Sequence, residues 1–144
     1  MRIRYLNTDL DLVSADDIEP LTAELQAKGV TPLSLLLGRD GRWYSCLEVD
    51  EEFTDEREPE NHIAAMLDAI ESLPERLHSA WRNCTVREFC IGYDCGDEPR
   101  AFQQGLSTTT LRRMSEVGAT LRITIYPERY SEGDQEHERS VDQK

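Results

Sequence analysis

The stretch NCTVREFCIGYDC, residues 83–95, decides how the chain is read, because it holds three of the four cysteines. Within VREFCIGYD, Phe89, Ile91 and Tyr93 share a face with Arg87, while Val86, Glu88, Cys90, Gly92 and Asp94 share the other. That period of two is the mark of a half-buried strand. At a rise of about 3.3 Å per residue, Cys84 and Cys90 lie on one side but roughly 20 Å apart, and Cys90 and Cys95 point to opposite faces. Zinc sites want two cysteines separated by two to four residues and a second such pair elsewhere, and neither spacing occurs here. His62 and His78 are 16 residues apart and His137 lies near the C-terminus. The stretch therefore reads as a strand carrying ordinary thiols, with no metal and no cofactor expected.

Downstream, LSTTTLRRMSEVG has the signs of a short helix: Ser107 as N-cap, Leu106 and Leu111 as a hydrophobic staple, Met114 on the buried face and Gly118 as terminator. ATLRITIYP then alternates Leu121, Ile123 and Ile125 with Arg122, Thr124 and Tyr126, which predicts a strand with one buried face. Residues 96–105 have no clear conformation, although Phe102 is a candidate anchor for them. The segment after Tyr130, SEGDQEHERSVDQK, is polar and without periodicity and reads as a disordered acidic tail. One domain over 1–130 followed by a tail over 131–144 is expected, with no internal repeat or linker.

Upstream, RIRYL predicts an opening strand with Ile3 and Tyr5 inward, and Leu10 and Leu12 shift the phase, which suggests a bulge or a break. VSADDI predicts a helix over 14–28 that begins in a capping box of Ser14 and Asp17, stapled by Val13 and Ile18. Ile18, Leu21 and Leu25 form its apolar face and Lys28-Gly29 its stop. PLSLLLGRDGRWYSCLEV is a hairpin turning at Asp40-Gly41, with Trp43, Leu47 and Val49 on one face and Tyr44, Cys46 and Glu48 on the other. A helix from about Pro59 carries Ile63, Met66, Leu67 and Ile70, and Pro74 kinks it or starts a short helix bearing Leu77 and Trp81.

The order strand, helix, strand, strand, helix, strand matches a ferredoxin-like split βαβ core: an α+β fold with a mainly antiparallel sheet and helices on one face, extended by a C-terminal helix and strand. In that order the first strand is central, between the third and fourth, which would set Arg4 between Glu48 and Glu88. The uncovered face would display Arg4, Tyr44, Glu48, Glu88, Arg122 and Tyr126, with Cys46, Cys90 and Thr124 among them. Two tyrosines and an arginine on one surface suit an interface.

The starting strand, the tryptophan-bearing GRWYSCLEV, the mid-chain helix ending near a proline and GLSTTTLRRMSEVGATLRITIYP resemble the bacterial domain of unknown function family 4279. The likeness covers residues 1 to about 127 and consists of packing and capping positions. It implies a fold and carries over no catalytic residue. The acidic run over 50–60 and the segment 96–105 depart from it.

With 29 acidic against 16 basic residues the net charge is −13, which opposes contact with nucleic acid and anionic lipid. No apolar run approaches a membrane span and no signal peptide opens the chain, so a soluble cytoplasmic protein is expected. No Walker loop, dinucleotide fingerprint, zincin motif or nucleophile elbow is present. The run DEEFTDEREPE, residues 50–60, carries seven carboxylates, among them Asp50, Glu51, Glu52, Asp55 and Glu56. It lacks the ligand spacing of a calcium hand and serves as the second candidate docking element. The expectation is a non-enzymatic binding module, of immunity type, that holds a basic protein. A small-molecule sensor or enzyme is the rival, with a pocket lined by Tyr44, Glu88 and Arg122 or lying beneath 96–105. A homodimer through the open face is the third reading.

Overall fold

The computed structural model describes residues 1–53 and 57–127, and these form five strands and four helices in the order βαββααβαβ. The strands are β1 Arg4–Ser14, β2 Val30–Leu37, β3 Trp43–Val49, β4 Val86–Asp94 and β5 Thr120–Tyr126. The helices are α1 Glu19–Ala27, α2 Pro59–Glu71, α3 His78–Arg82 and α4 Thr108–Glu116, with 3₁₀ turns at Glu51–Phe53 and Glu75–Leu77. The sheet runs β2-β3-β1-β4-β5. All neighbouring pairs are antiparallel except β4 with β5. The fold is α+β with a mostly antiparallel sheet. The acidic tail expected over 131–144 lies outside the described residues.

Period-two burial builds the core from the sheet side. Leu10 and Leu12 of β1, Leu47 of β3, and Phe89 and Ile91 of β4 are fully buried. Ile18, Leu21 and Leu25, from α1 and the residue before it, meet them with Ile63, Met66 and Leu67 of α2. The phase shift in β1 is a bulge, since the register to β4 slips between Tyr5 and Asn7. Both sides of it keep inward residues inward.

Two expectations are corrected. Ser14 does not cap a helix: it is the buried last residue of β1, and α1 begins at Glu19 with Ile18 in the cap position and Pro20 in its first turn. β1 gains ladder partners on both sides by running on through Leu12, and that outweighs an early helix start. Ser14 and Asp17 instead accept the amides of Asp16 (3.1 Å) and Glu19 (2.8 Å) in the connecting turn. The second correction concerns β5, whose apolar residues remain open: Leu121 is 39%, Ile123 50% and Ile125 65% exposed. Among the described residues β5 is the sheet edge, and no helix of theirs reaches over it.

The α4 signals are realised. The Ser107 hydroxyl accepts the Thr110 amide at 3.2 Å, Met114 is buried, and Gly118 takes φ 72°. Leu111 stays exposed, so the staple is superficial. Arg113 fixes α4 to α2 through Asp68 and Glu71, each at 2.7 Å. The Trp81 indole donates to the Val117 carbonyl at 2.9 Å and joins α3 to the end of α4.

Candidate functional site

β1 lies between β3 and β4, and its outward residues set the character of the open face. The registers align Asp9 with Glu48 on one side and Cys90 on the other, and Asp11 with Cys46 and Glu88. Four carboxylates, Asp9, Asp11, Glu48 and Glu88, therefore occupy the outward face of three adjacent strands. Arg4 does not stand between Glu48 and Glu88 as expected. It aligns with Asp94 and pairs with it at 3.4 Å, because the registers set Glu48 opposite Asp9 and Glu88 opposite Asp11, well along β1 from Arg4. Asp9 and Asp11 were missed by sequence reasoning, although the alternation Asp9-Leu10-Asp11-Leu12 carried the signal.

Crowding shows in the acidities. Burial, then the neighbouring Glu48 and Asp11 carboxylates, push Asp9 up to about 6. Burial raises Asp11 as well, with Glu88 adding to it and the Cys46 thiol partly opposing. Burial and the two aspartates raise the Cys46 thiol above its ordinary range, so it stays a neutral donor beside them rather than a nucleophile. The Asn7 side-chain amide donates to Asp9 at 3.0 Å. Cys90 contacts the Thr124 hydroxyl at 3.2 Å.

The remaining predicted face residues flank this row. The Arg122 guanidinium bonds Glu88 at 2.6 Å, which raises its own affinity for its proton. Tyr126 aligns with Asp94. The Tyr44 hydroxyl donates to Asp40 in the hairpin turn. A depression of about 320 Å³ opens at the Asp11–Glu88 end of the row, lined also by Ser34, Tyr44 and Cys46 among others, while Asp9 and Glu48 lie outside its lining. Arg122 is outside that lining.

The acidic run divides. Asp50 accepts from the Thr31 hydroxyl at 2.8 Å and belongs to the base of the β2–β3 hairpin. Glu51 and Glu52 are exposed on the 3₁₀ turn, and Glu51 acts on His62 of α2. Asp55 and Glu56 lie outside the described residues. His62 itself is buried, its Nδ1 2.8 Å from the Tyr5 hydroxyl, which is 2.6 Å from that of Thr8. Burial, then the Arg57 guanidinium, lowers the pKa of His62 below its ordinary value, and burial pushes Tyr5 up to about 12, so both are neutral near pH 7. This set ties α2 to β1 inside the core.

A second hollow, of about 300 Å³, lies beneath 96–105 and is mostly apolar, with Ile3, Tyr93, Phe102, Gln104, Ile123 and Ile125 in its wall. Phe102 does anchor the segment: its ring meets Tyr93 edge-on at 4.8 Å. Gly96 allows the close crossing of the N-terminus, since a Cβ there would lie 2.5 Å from the Met1 carbonyl.

Among the described residues no group of three or more histidine, cysteine, aspartate or glutamate side chains is arranged to hold a metal, and no helix is long and apolar enough to cross a membrane. No protein-family model, curated protein or solved structure matches the chain.

Proposed function

We propose that the chain is a non-enzymatic binding module, of immunity type, whose open sheet face receives arginine or lysine side chains of a basic protein partner. The observation that carries this reading is the row Asp9, Asp11, Glu48 and Glu88 across three adjacent strands, with Arg122 against one of the four and Arg4 beside Asp94. Carboxylates held close together repel one another, and an incoming cation relieves that repulsion while gaining several charge-assisted bonds. Glu51 and Glu52 add a second contact. The strand order β2-β3-β1-β4 supports a ferredoxin-like core that α4 and β5 extend. A cytoplasmic location and membership of domain of unknown function family 4279 form part of the same reading, the latter resting on the Ser107 cap, the Gly118 stop and the last strand.

Fluorescence anisotropy with an arginine-rich and a glutamate-rich peptide of equal length tests it. The basic peptide should bind at low salt, weaken as salt rises, and lose about tenfold in affinity when Asp9→Asn and Asp11→Asn are combined. Equal binding to wild type and double variant, or none at low salt, ends the proposal. A small-molecule role is the second reading, favoured by the depression that Tyr44 and Glu88 share. Its ligand would be a small cation, and titration with alkylguanidines would reveal it.

A further inference from the structure

We propose that β5 pairs edge to edge with β5 of a second copy of this chain, antiparallel and centred on Ile123, so that two five-stranded sheets become one. A strand edge leaves a row of backbone amides and carbonyls without ladder partners, and proteins normally blunt such edges with proline, lysine, bulges or a covering element. The other edge is blunted in this way: β2 contains Pro32, and its register slips between Pro32 and Ser34. β5, TLRITIY, has neither proline nor bulge, and its one charged residue, Arg122, is bonded to Glu88.

What selects a second copy as the occupant is the strand's symmetry. Ile123 is the midpoint of the seven residues Thr120–Tyr126. An antiparallel two-fold register about it uses the whole strand, aligning Ile123 with itself and Leu121 with Ile125 of the second copy. All three exposed apolar residues then meet apolar residues on one face. On the other face Arg122 stands opposite Thr124, never opposite another arginine. Centring on Arg122 would oppose two guanidinium groups, and centring on Thr124 would strand Leu121 against Pro127. The favoured register also brings Leu121 of the second copy beside Ile125, which with Ile123 walls the apolar hollow. Because the axis is perpendicular to the sheet, both acidic rows face the same way, and a basic partner could be held by two of them.

Light scattering on the full chain, over a wide concentration range in moderate salt, should give twice 16.5 kDa. Ile123→Lys duplicates its charge on the two-fold axis and should yield a folded monomer with unchanged far-ultraviolet circular dichroism. Ile123→Cys tests the register without placing a charge on the axis: mild oxidation should link two copies through position 123, identified by peptide mass mapping, even if the lysine variant fails to fold. A dimer that survives Ile123→Lys, or that does not crosslink through position 123, overturns the proposal. A monomer at every concentration overturns it too. Hydrogen exchange then says why: protected β5 amides mean the chain's own residues cover the edge, and unprotected ones leave it open to a different protein. The peptide experiment reads a different surface, so either proposal can fail alone.

Discussion

Asp9 is held where its charge is least welcome, half-buried with Glu48 across one ladder and Asp11 two residues along its own strand. Its carboxyl titrates near 6 in the folded chain against 3.8 in the unfolded one. Between those values the folded chain keeps a proton on Asp9 that the unfolded chain has released, so stability declines as pH rises through the window. The full shift would correspond to more than 2 kcal/mol, but solvent reaches this face and screens it, leaving about 1 kcal/mol. Asp9→Asn should therefore raise the melting temperature by about 3 °C at pH 7 and flatten the pH dependence between 4 and 6. Thermal melts across that range decide it, and a variant less stable than wild type at pH 7 rules out a repulsive site. The same substitution should weaken binding of the basic peptide. Stability gained at the cost of binding is the behaviour expected of a functional residue, and not of one that only packs.

At the scale of elements, the end of α4 shows how one strand residue ties two helices to the sheet. Arg87 of β4 donates to the Trp81, Arg82 and Cys84 carbonyls at the close of α3, and to Gly118 beyond α4, all within 3.2 Å. Gly118 supports this contact twice over: its φ of 72° is left-handed, and a Cβ there would come within 2.9 Å of the Arg87 guanidinium. Gly118→Ala should cost about 2 kcal/mol, seen as a lower urea midpoint at unchanged slope. An unshifted midpoint would mean that the turn refolds around the methyl group. Gly118, the hairpin turn and Pro59 were legible because capping and turn chemistry are local signals, and the placement of β1 between β3 and β4 followed from the order of the elements. The start of α1 was not, since Ser14 and Asp17 look alike in a capping box and in a turn, and only the ladders on both sides of β1 decide between them. The centre of the acidic row was missed for a related reason: the bulge after Tyr5 breaks the link between Arg4 and Asp9. Leu121, Ile123 and Ile125 read as buried because alternation tells which residues share a face, but not whether anything covers it.

Over the whole molecule, 29 acidic and 16 basic residues leave a charge of −13 that opposes compaction and self-association alike. Against it stand ion pairs that are largely surface contacts, such as Arg76 with Glu24 and Arg112 with Glu116, each contributing at most about 1 kcal/mol. Added salt screens both, but the long-range repulsion among many like charges loses more than these pairs do once the Debye length falls below about 10 Å. Sodium chloride should therefore raise the melting temperature, and a fall would mean that the ion pairs dominate. Pairing through β5 would also raise it, since bringing two such charges together is easier when they are screened. The two effects separate by protein concentration: screening within one chain is independent of it, whereas stabilisation by a second copy grows with it. Binding of a basic partner should run the other way and weaken with salt, because there the opposite charges attract. Melts at two salt and two protein concentrations, with and without the arginine-rich peptide, thus distinguish repulsion within the chain, pairing of its copies and capture of a cation.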